Sequence, residues 1–177
     1  MLVAGEDVES ALLAEVSSLG HPPRVVGVYR REDLPAGPVG DGGLALWRVG
    51  DPGNVGTLLR AADALGPAFV ALSDSCADPT GPKALRASAG AVFRVPTSAF
   101  EEAPRPWVAL VPRGGRPLRA LDVERVTFVL GAEREGLADE VLANCDERVT
   151  IPQSGLAESL NVAMAGTIAL YELARRS

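Results

Sequence analysis

The chain has 177 residues, 47% of them hydrophobic, and a formal net charge of −6 at pH 7, which suits one domain with a substantial core. The acidic balance argues against a non-specific nucleic-acid binder with a broad basic face, and the apolar runs fall well short of the ~20 residues that span a bilayer. Two distant cysteines and a single histidine argue against a disulfide framework or a metal site, so we expect a cytoplasmic protein with no metal. The short apolar runs lead us to expect no membrane association.

The N-terminal part of the chain is predicted to form a short extension. Residues 6–19 carry apolar side chains at helical spacing, and residues 24–30 are predicted to form a strand. The stretch that follows, residues 32–43, is dense in glycine and proline and is the best candidate for a boundary. We therefore assign residues 1–40 to the extension and residues 41–177 to the main domain.

In the main domain, short apolar segments alternate with helical ones. Predicted strands cover residues 44–49, 68–73, 91–96, 107–112, 126–131 and 148–152, and predicted helices cover residues 54–65, 81–88 and 157–176. Strands without polar alternation, interleaved with helices, indicate a mostly parallel sheet that is covered on both faces. Ligands of such folds bind at the loops beyond the carboxyl ends of the strands, so the candidate site lies in those loops.

The first loop that carries chemistry follows the strand at residues 44–49. It places turn-forming residues ahead of a helix, where Asn54 is a candidate N-cap and Gly56 lets the backbone approach a neighbour closely. Arg60 is a charged residue inside an otherwise apolar helix. Because Asn54 and Arg60 lie about one and a half turns apart, both can border one cleft at the start of this helix. The alternative is a well-made strand-to-helix turn without a chemical role.

The second loop begins where the strand at residues 126–131 ends. Gly131 removes a side chain at that point, as happens where a ligand lies against backbone. Glu133 stands among the first loop residues after a core strand. That position favours a functional carboxylate over an ordinary surface one.

The third loop precedes the helix predicted over residues 157–176. Glu158, Ser159 and Asn161 place polar groups in its first turn, at the entrance to an apolar helix. Polar groups that enter a buried environment are destabilising unless they find hydrogen-bond partners. Helix capping accounts for one of these residues but not for Asn161, a poor helix former.

Together, the three loops resemble the signature motifs of the SpoU (TrmH-like) branch of the SPOUT RNA methyltransferases. The first motif, Asn-x-Gly followed by Arg, is matched by Asn54, Gly56 and Arg60. The second, Gly-x-Glu-x-x-Gly-Leu, is matched by Gly131, Glu133, Gly136 and Leu137. The third, Ile-Pro followed by Ser-Leu-Asn-Val, is matched by Ile151, Pro152, Ser159, Leu160, Asn161 and Val162. The departures are Gln153 and Ala163, where many relatives carry Met and Ser.

The resemblance implies an α/β fold with a mostly parallel sheet, helices on both faces and a C-terminal trefoil knot. The knot would bind S-adenosylmethionine largely through backbone groups, and the protein would be a homodimer. The residues implied to bind the cofactor are Leu130, Gly131, Ile151, Pro152 and Leu160. The small residues of the last helix, which we expect to pack closely across the dimer, are Ala163, Ala165, Gly166 and Ala169. The product would be a 2′-O-methylated ribose in ribosomal or transfer RNA. Residues 1–40 would be either the short extension of a minimal form or the remnant of an RNA-binding domain.

The resemblance also implies a catalytic set. It consists of Asn54, Arg60, Glu133, Ser159 and Asn161. A guanidinium is normally a hydrogen-bond donor only, so we expect Arg60 to hold the ribose or a phosphate and to stabilise negative charge. Glu133 would orient Arg60, and the other polar residues would complete the network. Arg60 acting as a base after losing its proton is the minority interpretation.

Other functions remain open at this stage. A non-catalytic, knotted RNA-binding or dimerisation module would fit the short extension and the acidic charge, although every polar motif residue is present. A SPOUT enzyme that modifies a base is disfavoured because the Ser-Leu-Asn motif favours ribose. A Rossmann methyltransferase is disfavoured because no glycine-rich loop follows the first strand in the required context.

Overall fold

The computed structural model describes residues 1–17, 21, 23–38, 40, 42–66, 68–155 and 158–175. The chain divides into two compact units, Met1–Leu34 and Pro35–Ser177. The division falls inside the stretch rich in glycine and proline, residues 32–43. In the part of the chain that the structure describes, no helix is long and apolar enough to cross a membrane.

The first unit is small. Its elements are β1 (Leu2–Val3), α1 (Ser10–Val16) and β2 (Val25–Val26), and the two strands pair antiparallel. The helix predicted over residues 6–19 was too long, because the chain before it forms a turn in which the Gly5 N–H donates to Val8 O at 2.8 Å. Leu19 lies outside the described residues. The strand predicted over residues 24–30 was also too long, because its partner offers only two residues for pairing.

The second unit contains a seven-stranded sheet. Its strands are β3 (Gly42–Leu46), β4 (Phe69–Leu72), β5 (Thr97–Ala99), β6 (Trp107–Leu110), β7 (Arg116–Pro117), β8 (Val126–Leu130) and β9 (Glu147–Thr150). They lie in the order β5-β4-β3-β8-β6-β9-β7, and each of these pairings is parallel. The prediction of a mostly parallel sheet is therefore confirmed.

Helices cover both faces of this sheet. They are α2 (Pro52–Leu65), α3 (Pro82–Ser88), α4 (Asp139–Asn144) and α5 (Val162–Ala174). On one face, Leu44 of β3 lies next to Gly166 of α5. On the other face, Ala45 and Val129 form a buried cluster with Val141 of α4. Neighbouring residues along a strand thus pack against different helices, because successive side chains point to opposite faces.

The strand predicted over residues 91–96 is absent from that position. Residues Ala91–Phe93 form a 3₁₀ turn instead, and the Val95 N–H donates to Ala91 O at 2.8 Å. The pairing segment of the chain is β5, which begins only after Pro96. Proline has no N–H to contribute to a ladder, so the apolar run before it folds as a helical turn and the strand starts beyond it.

Helix α2 begins at Pro52, and its N-cap is Asp51 rather than Asn54. The Asp51 Oδ1 accepts from the Asn54 N–H at 3.0 Å, which places Asn54 inside the first turn. A Cβ on Gly56 would come within 2.7 Å of the Ala87 Cβ of α3. The close neighbour that Gly56 admits is therefore another helix.

Helix α5 begins later than predicted. Its first residue is Val162 and its N-cap is Asn161, so the residues before Asn161 are not part of a helical first turn. The predicted ends, Ala157 and Arg176, lie outside the described residues. Asn161 thus occupies the cap position that its propensity favours, and not a helix interior.

The buried face of α5 packs within its own chain. Gly166 and Ala169 are buried, and a Cβ on Gly166 would collide with Leu58 of α2. Met164 and Tyr171 lie on the exposed side, with 58% and 54% of their surface accessible. The helix is therefore buried on one side only, and Gly166 serves α2–α5 packing within the chain.

Candidate functional site

A cavity of 480 Å³ opens at the carboxyl ends of the adjacent strands β8, β6 and β9. This volume lies within the range of small-molecule sites, about 300–1,000 Å³. The loops after the three strands and the chain that leads into α5 form its walls. Lining residues that carry the chemistry discussed below are Leu130, Gly131, Glu133, Ile151, Gln153, Ser159, Leu160 and Asn161. The position matches the expectation that ligands of parallel sheets bind beyond the carboxyl ends.

The loop after β8 is folded tightly on itself. Ala132 and Gly136 exchange two backbone hydrogen bonds of 3.1 and 3.0 Å. Gly136 has a φ of 69°, a conformation that glycine adopts without strain. A Cβ on Gly131 would collide with the backbone of Gly136 and Leu137. The absent side chain of Gly131 therefore lets the loop close, which is a different reason from the predicted approach of a ligand.

The residues predicted to bind a cofactor are mostly brought together. Leu130, Gly131, Ile151 and Leu160 all line the cavity. Pro152 is exposed and is not among the lining residues. The two strand ends and the turn before α5 thus converge on one space, although they are separated in sequence.

A polar cluster, defined as Asn54, Glu133 and Asn161, joins three loops at the edge of this cavity. Asn161 Oδ1 accepts from the backbone N–H groups of Ala163 and Met164, at 2.9 and 3.2 Å. Asn161 Nδ2 donates to Asn54 Oδ1 at 3.1 Å. Asn54 Nδ2 in turn donates to Glu133 Oε1 at 2.8 Å.

The start of α5 fixes the direction of every bond in the polar cluster. A backbone N–H can only donate, so Asn161 must turn its oxygen to the helix and its nitrogen to Asn54. Asn54 then presents its own nitrogen to Glu133, whose ionised carboxylate can only accept. Asn161 is thus both a helix cap and a link to the first motif. The expectation that capping would not explain Asn161 was wrong.

Two charged residues that were not predicted stabilise the start of α2. Lys83 Nζ lies 2.7 Å from Asp51 Oδ2. The Lys83 ammonium and then the Asn54 N–H hold the pKa of the Asp51 carboxyl below its usual value. The Asp51 N–H also donates to Glu133 Oε1, at 3.4 Å. An aspartate followed by proline ahead of a helix is a recognised start signal and could have identified this cap.

Arg60 and Ser159 are less engaged than predicted. Arg60 is exposed on α2, does not line the cavity, and has no hydrogen-bond or ion-pair partner among the described residues. The structure shows no hydrogen bond or ion pair between Glu133 and Arg60; Glu133 Oε1 accepts from Asn54. Ser159 is exposed and lines the cavity, without a hydrogen bond to the rest of the described chain.

Gln153 was not predicted as a site residue. It lines the cavity shortly after the end of β9, and its Oε1 atom is buried without a hydrogen-bond partner among the described residues. A polar side chain directly after the Ile-Pro pair was the signal in the sequence. Across the residues described, no group of three or more His, Cys, Asp or Glu side chains is arranged to hold a metal ion.

The class of protein follows from this fold and this arrangement of motifs. A family model, the SpoU rRNA Methylase family, matches residues 43–171. The match covers most of the chain, and the chain belongs to this family.

Three known proteins place the chain within this class. In an alignment of 188 positions that covers 99% of the chain, it is 37% identical to an uncharacterized tRNA/rRNA methyltransferase of Synechocystis. It is 32% identical over 178 residues, covering 88% of the chain, to a 23S rRNA uridine 2′-O-methyltransferase of Streptomyces viridochromogenes. The crystal structure of an AdoMet-bound rRNA methyltransferase from Sinorhizobium meliloti superimposes with a TM-score of 0.70 at 36% identity, over 77% of the chain. The chain spans 67%, 61% and 56% of the lengths of these three proteins.

Proposed function

We propose that this protein transfers a methyl group from S-adenosylmethionine to a ribose 2′-hydroxyl of ribosomal or transfer RNA. The observation that carries the proposal is the placement of the polar cluster at the edge of a cavity of cofactor size. Relatives whose names specify 2′-O-methylation of ribosomal RNA support the ribose hydroxyl as the acceptor. An AdoMet-bound neighbour supports the cofactor.

The cavity fits a nucleoside-like cofactor. Leu130, Ile151 and Leu160 supply apolar surface, and the loop closed by Gly131 supplies backbone groups. The unpaired Oε1 of Gln153 supplies an acceptor for a donor on the ligand. When bound, S-adenosylmethionine would supply an electrophilic methyl group on a sulfonium centre.

The chain's own residues would align the acceptor and stabilise the charge that develops on it. A ribose hydroxyl is a weak nucleophile, and alignment alone can contribute several kcal/mol. The polar cluster is already ordered, so Glu133 needs no rearrangement to face the cavity. Glu133 Oε2 has no partner among the described residues, and it can accept a hydrogen bond from the ribose hydroxyl or from Arg60.

We assign Arg60 to the RNA side of the site. It is exposed, lies outside the cavity and has no partner elsewhere in the described chain, which suits a side chain that clamps ribose or phosphate when RNA binds. A planar guanidinium forms paired hydrogen bonds with phosphate, whereas its high pKa opposes a role as a base. Ser159, also on the open side of the cavity, would complete the contacts to the acceptor nucleotide.

Two finer features belong to the same proposal. The first is the C-terminal trefoil knot, which is supported by the position of β9 beyond β6 from β8 while α5 packs on β8, β3 and α2. The second is a homodimer in the cytoplasm, for which the exposed face of Met164 and Tyr171 is the best surface.

Met164→Arg should shift the protein from dimer to monomer in light scattering at micromolar concentration. A dimer that is unaffected by Met164→Arg would remove α5 from the interface.

The function is tested by incubating the purified protein with radiolabelled S-adenosylmethionine and unmodified transcripts of ribosomal and transfer RNA. We expect the label in a 2′-O-methylated nucleoside after complete digestion of one of the two RNA classes. Label found only in modified bases would contradict the ribose assignment. Binding of both cofactor and RNA without transfer of label would instead favour a non-catalytic module.

A further inference from the structure

Gln153 contains a buried polar atom that has no partner among the residues the structure describes. Its side chain is half-buried in the cavity wall, and Oε1 is buried with no hydrogen-bond partner among the described residues. A buried acceptor without a donor is destabilising, and such atoms are rare in folded proteins. The amide nitrogen also has no partner in the described part of the chain, so the whole carboxamide is available to a ligand.

The sheet order separates Gln153 from Asn54 of the polar cluster. Gln153 follows β9, whereas Asn54 is on the helix that follows β3, and β8 and β6 lie between those strands. At ~4.8 Å per strand, the two loops are separated by roughly 14 Å along the edge of the sheet. Glu133 lines the same cavity and follows β8, two strands from β9. We therefore call the part of the cavity beside β9 the Gln153 end and the part beside β8 the polar-cluster end.

Mostly apolar side chains surround the Gln153 end of the cavity. Because β6 and β9 pair, the loop after β6 lies beside Gln153, and the Val111 N–H donates to Val149 O at 2.9 Å. Leu110, Val111 and Leu142 line the cavity with it. An apolar wall that carries one carboxamide suits an aromatic ring with a hydrogen-bonding edge.

The chemistry of the carboxamide selects among such rings. An amide presents one acceptor and one donor side by side, and adenine presents a matching edge with its N6 amino group next to N7, the pairing by which glutamine recognises adenine in other contexts. Rotation of the amide would exchange its oxygen and nitrogen, but adenine offers a partner for each. We propose that Gln153 reads the adenine base of S-adenosylmethionine and sets the specificity of the pocket for an N6 amino group. This inference rests on the proposed function.

The test compares two ligands that differ at one position of the base. S-adenosylhomocysteine carries the N6 amino group, and S-inosylhomocysteine carries a carbonyl in its place. By calorimetry, the wild-type protein should bind the adenosyl ligand about 10-fold or more tightly than the inosyl ligand, because a bidentate amide contact discriminates to that extent. In Gln153→Met, which keeps length but removes both polar groups, this ratio should fall towards one, mainly through weaker binding of the adenosyl ligand.

A matched variant and a stability measurement complete the design. Asn144→Met makes a comparable amide-to-thioether change on the exposed part of α4, outside the cavity, and should leave the ratio unchanged. Without ligand, Gln153→Met should melt no lower than wild type, since it removes an unpaired buried acceptor.

The possible results distinguish failure of adenine recognition by Gln153 from failure of the proposed methyltransferase function. A wild-type protein that binds both ligands equally, or a Gln153→Met protein that retains the wild-type ratio, overturns the adenine-reading role while leaving the methyltransferase proposal in place. A wild-type protein that binds neither ligand overturns both. Should Gln153→Met fail to fold, the wild-type ratio and the same measurement on Gln153→Leu decide the matter.

Discussion

The two ends of the candidate site are built in opposite ways. In the polar cluster of Asn54, Glu133 and Asn161, both asparagine side chains bond other protein groups, with cross-loop distances of 2.8 and 3.1 Å. At the other end of the cavity, Gln153 has a buried oxygen without a hydrogen-bond partner among the described residues. The two asparagines at one end are bonded without a ligand, whereas the buried oxygen of Gln153 at the other end can gain a partner from a ligand.

This difference suggests that the polar cluster positions the substrate and that the cavity wall around Gln153 binds the cofactor. A cluster that is already bonded holds its groups in place before substrate arrives, so no reorganisation is needed during the reaction. A wall of backbone, apolar side chains and an unpaired amide gains hydrogen bonds only when a ligand fills it. We therefore expect changes in the wall to weaken cofactor binding, and changes near the cluster to slow methyl transfer with little effect on cofactor binding.

The largest effect is expected from Gly131→Ala, on the wall. The added Cβ would collide with the backbone of Gly136 and Leu137, so the loop after β8 must open or shift. Overpacking of this kind typically costs about 1–3 kcal/mol, and S-adenosylmethionine binding should weaken by up to roughly 10²-fold. The matched control is Gly27→Ala, whose Cβ would meet no atom within 4 Å. Wild-type affinity in Gly131→Ala, measured by calorimetry, would contradict the role of loop closure.

Arg60→Lys tests the expectation that changes near the polar cluster slow methyl transfer with little effect on cofactor binding. Lysine keeps the charge but loses the planar fork that pairs with phosphate or ribose oxygens. Single-turnover methylation of RNA should fall by about 10², equivalent to roughly 2.7 kcal/mol of transition-state stabilisation, while cofactor affinity stays near wild type. Arg94→Lys, on an exposed arginine that pairs with Asp63, is the control. An Arg60→Lys protein that loses cofactor binding would place Arg60 on the wrong side of the site.

Two substitutions of Asn161 can separate its role as the cap of α5 from its hydrogen bond to Asn54 in the polar cluster. Asn161→Ala removes the acceptor for two N–H groups of α5 as well as the bond to Asn54, and it should lower the free energy of unfolding by about 1–2 kcal/mol. Asn161→Asp keeps a strong cap but loses the donor to Asn54. We expect Asn161→Asp to unfold in urea within about 0.5 kcal/mol of wild type yet to methylate RNA slowly. Equal methylation by Asn161→Asp and wild type would show that the link to Asn54 is dispensable.

The sequence predicted the loops of the site better than the contacts inside it. Gly131, Ile151 and Leu160 were assigned to one cofactor site, and they do line one cavity, because a parallel sheet brings the ends of neighbouring strands together. The predicted contact between Glu133 and Arg60 is not present in the structure, where Glu133 Oε1 accepts from Asn54. Whether a carboxylate meets Asn54 or Arg60 depends on how α2 is rotated over the sheet, and a motif does not encode that rotation.

The start of α5 shows a second limit of pattern reasoning. The segment before Asn161 contains Leu160 and Glu158, which are good helix formers, so propensity extends the helix upstream. In the structure, Ser159 and Leu160 line the cavity instead, and the helix begins only after the cap. The need to close a wall around the site overrides local propensity there. By contrast, the Asp51–Pro52 start of α2 was readable from the sequence alone.

The smallest effect is expected from Lys83→Met, which removes the ion pair beside the polar cluster without touching it. Both side chains are substantially exposed, at 58% for Lys83 and 44% for Asp51, so solvent screens the pair. At pH 6 the variant should lose no more than about 0.5 kcal/mol of unfolding free energy in urea. Cofactor binding and methylation should remain near wild type, since Asp51 still caps α2 and Asn54 keeps both of its side-chain partners.

The pH dependence of that loss has a definite sign. The folded pKa of Asp51 is lowered from its ordinary value of 3.8, first by Lys83 and then by the Asn54 N–H. A carboxyl with a depressed folded pKa stabilises the protein above its unfolded pKa, and this contribution disappears as the pH falls through the folded value. Lys83→Met should raise the pKa of Asp51 towards 3.8, so the difference in unfolding free energy between wild type and variant should be largest near pH 6 and should shrink at pH 3. A difference that grows on acidification would mean that Lys83 acts through something other than its pair with Asp51.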